Sequence, residues 1–242
     1  MIMAMAVLSA VLFSCVREEM TCDKELIVVQ RIGEGGYVYT RGAAISSNTD
    51  LKEETFGLYG SLTPNASVPQ PYFNASATVN ADLTATISPL QYWPGLLNAS
   101  MKFFSWYPYN DANAPTASFT DPGEMVLNYT ANASAANHVD VLAAISGPVW
   151  VEGVNIHFYH TLTKVTFTFK KVAPVPDEVI IEKIEFQNVG KSGKLAMTEI
   201  PTTTTKNGKP KFVWSDVATG KVVSTLTDNK TVTEDATLMG DT

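Results

Sequence analysis

The stretch from residue 154 to residue 170 constrains the fold more than any other part of the chain. Its sequence, VNIHFYHTLTKVTFTFK, alternates apolar and polar residues, a period of two that is typical of a β-strand with one buried face. The apolar positions are even-numbered up to Leu162 and odd-numbered from Val165 to Phe169. This change of parity predicts a bulge at Thr163–Lys164, with a bend or a break into two strands as alternatives. We expect the stretch to open a second β domain at residue 154.

Short segments with strand-like composition recur along the rest of the chain. MKFFSWYPY, at 101–109, has aromatic residues on both parities, which predicts a strand that is buried on both faces. The proline-rich segment 61–76 is interpreted as a loop, and Asn207-Gly208 predicts a hairpin. No long segment has helical periodicity. The sequence therefore predicts an all-β protein of short strands arranged as sandwiches. Further strands are predicted at 24–32, 55–61, 82–88, 138–145 and 179–186.

The charge and the motifs of the chain argue against several classes of function. A net charge of -7 disfavours nucleic acid as a partner. His157 and His160 are three residues apart, so on one continuous strand they face opposite sides and cannot share a metal ion. His138 and Asp140 share a face, but two ligands are too few for a zinc site. No nucleotide-binding, hydrolase or metalloprotease motif is present, so we expect no enzyme activity, no metal and no cofactor.

The N-terminus has the pattern of a bacterial lipoprotein signal. Residues 2–13 are almost entirely apolar but too few to span a bilayer, which requires about 20 residues. They lead into Leu12-Phe13-Ser14-Cys15, which resembles a lipobox whose cysteine is diacylated and becomes the new N-terminus. Residues 1–14 are therefore predicted to be a signal peptide and Cys15 the lipid site. Two acyl chains are enough for stable membrane anchoring.

Two further features of the chain have alternative interpretations. Arg41 precedes a segment of small residues, which suits a protease site, although an ordinary surface arginine fits equally well. Six Asn-X-Ser/Thr sequons suggest either a glycosylated eukaryotic protein or the abundance of these residue types in the chain, and the lipobox favours the second interpretation. The sequons are at Asn65, Asn74, Asn98, Asn128, Asn132 and Asn229.

Several stretches occur in an order that resembles the fimbrillin family, the Mfa-like group of type V pilus subunits from anaerobic Gram-negative bacteria. They are the cysteine of the lipobox, TRGAAISSNTDL followed by TFGLYGS, then FFSWYPYN, DVLAAI and FYHTLTKVTFTF. The resemblance extends from Cys15 to about Asn188. It implies two transthyretin-like β-sandwich domains, at 42–153 and 154–242, the second of them incomplete, and a propeptide at 15–41.

The resemblance also implies how such a chain would function. A fimbrillin is a surface-exposed lipoprotein of the outer membrane, and an Arg-specific protease removes its first strand. A strand from the neighbouring subunit then fills the groove, so that a fimbria grows by β-augmentation and serves adhesion. Carried over by position, Glu25 to Ile32 would be the removable strand, and Arg41 the cleavage residue with Gly42 as the new N-terminus. Arg31 is a weaker candidate for the cleavage residue.

The partners implied are other fimbrial subunits, a lipid anchor in the outer membrane, and a host or bacterial surface ligand. Because the chain ends early relative to the family, the donor strand is expected to be missing. The main alternative function is a surface lipoprotein that binds glycans through exposed tryptophans. The tryptophans considered for this role are Trp93, Trp106 and Trp150.

Overall fold

The computed structural model describes residues 25–34, 45, 47–65, 67–149, 153–165, 167–170, 179–197, 212–232 and 237–239. Apart from a short 3₁₀ helix at Ala135–Asn137, every regular element in these residues is a strand, which confirms the all-β prediction. The strands are β1 Val29–Glu34, β2 Thr55–Thr63, β3 Gln70–Val79, β4 Ala85–Ser88, β5 Ser100–Tyr107, β6 Thr116–Asp121, β7 Glu124–Thr130, β8 Leu142–Val149, β9 Val154–His160, β10 Phe167–Phe169, β11 Val179–Met197, β12 Phe212–Val232 and β13 Thr237–Met239.

Seven strands form a closed barrel in the order β1-β4-β3-β2-β5-β8-β9. Neighbouring strands are antiparallel except β1 and β9, which run parallel and close the barrel. The barrel interior is filled by apolar side chains from all seven strands, and the alternation of each strand decides which side chains point inward. The largest of these fully buried side chains are Ile32, Phe56, Leu58, Met101, Phe103, Leu142, Ile156 and Phe158.

A second sheet, in the order β12-β11-β7-β6, covers the outer face of β2, β5 and β8. Phe104 and Trp106 of β5 point into this interface, whereas Phe103 points into the barrel. The prediction that β5 is buried on both faces is therefore confirmed. The two layers are sandwich-like, but the pairing of β1 with β9 closes one of them, so the architecture is not exactly transthyretin-like. Strands β10 and β13 form a separate two-stranded sheet.

The strand that was expected to open a second domain belongs to the barrel. Val154, Ile156 and Phe158 of β9 are buried, as their alternation predicts, but β9 pairs with β8 and β1. Strands β6 and β7 precede residue 153, yet they join the sheet of β11 and β12, which follow it. Both sheets therefore contain strands from before and after the predicted boundary, because nonlocal partners decide to which sheet a strand belongs.

The parity change after β9 is a break rather than a bulge. Strand β9 ends at His160, and the next strand begins at Phe167 in a different sheet. Leu162 and Val165, which lie between the two strands, are exposed. Of the three alternatives considered for this stretch, the structure thus has the break into two strands, and the expected bulge at Thr163–Lys164 is wrong.

Strand β3 occupies much of the segment that was interpreted as a loop. Its Pro71 has no backbone N–H, which is normally incompatible with a strand that pairs on both sides. Here Pro71 pairs with Ser61 at a register shift of the β2–β3 ladder, between Gly60 and Ser61. A proline is tolerated at such an irregularity, so proline content alone gave the wrong prediction for 70–76.

Candidate functional site

Strand β1 closes the barrel but forms few backbone contacts on the side of β4. Along β9, β1 pairs from Val29 opposite Val154 to Glu34 opposite Phe158, with a register shift between Val29 and Arg31. Along β4, its only paired residue is Val29, opposite Ala85. One further hydrogen bond on this side runs from the Ile32 N–H to the Leu83 carbonyl, at 2.7 Å.

The apolar side chains of this strand and its lead-in belong to the barrel core. Ile27, Val29 and Ile32 are buried with the interior cluster, while Gln30 and Arg31 face outward. Each such buried aliphatic side chain stabilises the fold by about 1.5–3 kcal/mol. The same strand supplies buried side chains and closes the sheet, so its loss would expose the edges of β4 and β9 and the apolar residues behind them.

The chain is fixed again soon after β1, at Ile45. The Ile45 N–H donates a hydrogen bond to Asp140 Oδ2 at 3.1 Å, and the Ile45 side chain is buried. Asp140 Oδ1 lies 2.9 Å from His160 Nδ1, and both side chains are about nine-tenths buried. Asp140 therefore connects Ile45 to the end of β9, because its carboxylate accepts the Ile45 N–H and also contacts the His160 imidazole.

Of the predicted processing residues, Cys15 precedes β1 in the sequence, and Arg41 and Gly42 come between β1 and Ile45. Cys15, Arg41 and Gly42 fall outside the described residues, so their roles stay predictions. Arg31, the weaker cleavage candidate, is paired with Asn155 within β1. A residue held in a sheet is poorly available to a protease, which requires an extended and accessible substrate.

Two of the three histidines, His138 and His160, have polar partners. His157 is exposed on β9, whereas the His160 side chain is buried against Asp140, so the two face different surroundings. His138 Nε2 lies 2.9 Å from the Asn132 carbonyl oxygen. Within the part of the chain that the structure describes, no three histidine, cysteine or acidic side chains are grouped to hold a metal ion.

The tryptophans expected to bind glycans are not exposed. Trp93 is 5% exposed and packs edge-on against Phe103, and Trp106 is 4% exposed beneath the second sheet. Trp150 lies outside the described residues. The expectation of exposed indole rings at 93 and 106 is therefore wrong, because both rings are needed to fill the two cores.

A polar cleft of about 580 Å³ lies between the loop that precedes β6 and strands β7 and β11. At its edge, Lys194 Nζ is 2.8 Å from Asp216 Oδ2. This hydrogen-bonded ion pair raises the pKa of Lys194 and lowers the pKa of Asp216. The cleft offers amide and hydroxyl groups to a polar ligand, but no exposed aromatic face. The polar side chains that line it include Asn113, Thr116, Asn128, Thr130, Asn132 and Ser192.

Sequence reasoning missed the contact between Ile45 and Asp140. The two residues are 95 positions apart, and Asp140 was considered only as a neighbour of His138. No local motif marks a carboxylate that binds one backbone N–H. Only the position of β9, which brings His160 beside Asp140, could have drawn attention to it.

Comparison with known proteins identifies the family. A model of the fimbrillin-like family matches residues 40–239. The chain belongs to the fimbrillin-like family. No curated protein and no solved structure matches this fimbrillin-like chain.

Membership of the family has consequences for function and location. Fimbrillin-like proteins are structural pilus proteins that associate with other subunits in a fimbria at the cell surface. Among the described residues, no helix is long and apolar enough to cross a membrane.

Proposed function

We propose that this fimbrillin-like chain is a structural or accessory subunit of a cell-surface fimbria that assembles by protease-triggered strand exchange. The observation that carries the proposal is β1. It is a short N-terminal strand that closes the barrel, buries Ile27, Val29 and Ile32, and meets β4 at a single paired residue. A strand in this position is replaceable by another extended segment that presents the same backbone groups and apolar side chains.

The proposed sequence of events begins with a diacylated Cys15 in the outer membrane. Cleavage after Arg41 cuts the covalent link between β1 and the rest of the barrel. The new N-terminus at Gly42 then lies three residues before Ile45, which Asp140 holds in place. The edges of β4 and β9 become available, and a strand of a neighbouring subunit pairs with them.

Two further observations support this sequence of events. The family match begins at residue 40, so the matched part of the chain nearly coincides with the part that would stay after cleavage. The bond from Ile45 to Asp140 is independent of β1, so the mature N-terminus would stay attached when β1 leaves.

Strand loss and strand gain are expected to be coupled. Burial of three aliphatic side chains amounts to several kcal/mol, at about 1.5–3 kcal/mol each. That stabilisation is lost when β1 leaves an empty groove. Cleavage therefore makes the exchange possible, and binding of the neighbour's strand supplies the free energy for it.

The test is limited digestion of the purified full chain with a trypsin-like protease, followed by N-terminal sequencing and native mass spectrometry. We expect one stable product that starts at Gly42 and releases the β1 segment when a second strand is supplied. Arg41→Ala should block this product, whereas the matched variant Arg31→Ala should not. Scattered nicking, or resistance at Arg41 in the unaltered protein, would count against the proposal.

Adhesion is the proposed role of the assembled fimbria, and its ligand is a host or bacterial surface molecule. The alternative, a glycan-binding lipoprotein, is favoured only by the polar cleft. A glycan array with the Asn128→Ala and Asn132→Ala variants separates the two functions. The alternative would be supported if the unaltered chain binds a glycan, both variants abolish that binding, and the chain does not associate with other subunits.

A further inference from the structure

The barrel has two chemically different ends. Strand register places Thr63 opposite Ser100, Leu62 opposite Gln70, and Met101 opposite Val149. The loops at 64–69 and 89–99 therefore lie at the same end of the barrel. Val29 pairs with Val154 at this end, so β1 also enters the barrel there.

Both loops expose large apolar side chains and contain no charged residue. Leu97 is 88% exposed and Val68 is 79% exposed, and Leu90, Leu96 and Tyr92 are exposed as well. We call these two loops, with the lead-in at 25–28, the apolar end. Exposed apolar patches of this kind mark surfaces that contact a protein or a membrane.

The apolar end has a defined structure. The Tyr72 hydroxyl donates a hydrogen bond to the Tyr92 carbonyl oxygen at 2.8 Å, which joins the start of β3 to the loop at 89–99. Leu26 forms an antiparallel bridge with Tyr92, and the Trp93 N–H donates to the Glu25 carbonyl at 2.8 Å. The lead-in at 25–28 is thus bound directly to the loop that carries Leu96 and Leu97.

The opposite end is the more charged one, since among the described residues of the apolar end Glu25 alone is charged. The segment that leads into β2 contains Asp50, Lys52, Glu53 and Glu54, and the neighbouring turns add Asp82, Asp111 and Asp140. We call this the charged end. Ile45, which follows Arg41 in the chain, is bound there to Asp140.

We propose that the apolar end is a contact surface for a phospholipid bilayer. The inference rests on the lipid anchor of the proposed function. Glu25 follows Cys15 by ten residues, and ten extended residues span at most about 35 Å. Because this tether leaves the barrel at the apolar end, the lipid on Cys15 keeps that end near the bilayer.

The exposed side chains suit such a contact. Leu96 and Leu97 enter the boundary between headgroups and acyl chains, while Tyr72 and Tyr92 place apolar rings and polar hydroxyl groups at the membrane surface. The charged end then points away from the membrane. Ile45, four residues after Arg41 in the sequence, then lies at the end that faces away from the membrane.

The test uses the lipid-bearing full chain in vesicles of phosphatidylethanolamine and phosphatidylglycerol. In a Cys22→Ser background, Leu97→Cys carries a polarity-sensitive fluorophore, and Asp111→Cys at the charged end is the matched control. We expect a blue-shifted emission that brominated lipids quench for the label at 97, and a water-like, unquenched emission at 111.

Two results would overturn the inference. One is a water-like, unquenched label at 97 in vesicle-bound protein. The other is a blue shift that brominated lipids do not quench and that grows with protein density, which would assign the surface to a neighbouring subunit. Mass spectrometry of the N-terminal peptide tests the anchor separately. If Cys15 carries no lipid, Cys15→Ser is added so that position 97 holds the one labelled thiol. The same quenching is then measured after vesicles are added to the free protein, and its absence again overturns the inference.

Discussion

At the scale of single residues, close packing between β2 and β5 depends on a glycine. Gly57 lies opposite Trp106, and a Cβ atom at Gly57 would be 2.1 Å from Trp106 Cε2. Gly57→Ala should therefore displace the indole ring and lower the free energy of unfolding by about 1–3 kcal/mol. Chemical denaturation measures this change.

The matched control is Gly95→Asn, in the loop between β4 and β5. Gly95 has a positive φ of 63°, which asparagine tolerates better than other residues, and a Cβ there would contact nothing. Its free energy of unfolding should stay close to that of the unaltered chain. Equal losses for both variants would contradict the role assigned to Gly57.

Asp140 provides a second prediction at this scale. Asp140→Ala removes the acceptor for the Ile45 N–H and the partner of His160, and a buried polar group without a partner costs about 1–3 kcal/mol. We expect the Ile45 amide to exchange with solvent much faster, as measured by hydrogen exchange. The exposed Glu124→Ala serves as control. Unchanged exchange at Ile45 would show that Asp140 does not hold this segment.

At the scale of elements, β1 should contribute to stability only before cleavage. Ile32→Ala removes a fully buried side chain and should lower the unfolding free energy of the uncleaved chain by about 2–5 kcal/mol. After digestion at Arg41 and addition of a replacement strand, the variant and the unaltered chain should have the same stability. Gln30→Ala, on the exposed face of β1, is the control. A difference that persists after digestion would mean that β1 stays bound.

At the scale of the whole molecule, the barrel requires residues beyond 153. A chain ended at residue 153 lacks β9, and with it Val154, Ile156 and Phe158 of the core. We expect it to have no ordered near-UV circular dichroism, and a synthetic peptide of residues 153–165 should partly restore the signal. A cooperative thermal transition of the shortened chain alone would contradict this prediction and would favour two domains divided at 153.

The sequence predicted those features of the fold that depend on local residue patterns. Alternation identified the buried face of β9, and two-sided aromatic content identified β5 as a strand between two cores. It failed where distant partners decide the outcome. Pro71 is accommodated by an irregularity in the β2–β3 ladder, and both partners of β9, β1 and β8, lie before the boundary that local composition placed ahead of β9. The surface of the apolar end could be found only once register had placed its loops together.

The parallel pairing of β1 with β9 also governs the order of events during synthesis. Val29 leaves the ribosome long before its partner Val154, and at about 5–20 residues per second the interval is on the order of ten seconds. Pairings that are so distant in sequence form late in folding. We therefore expect the space between β4 and β9 to be occupied last as the chain folds, so that a newly made subunit passes through an open form resembling the one proposed to receive a neighbour's strand.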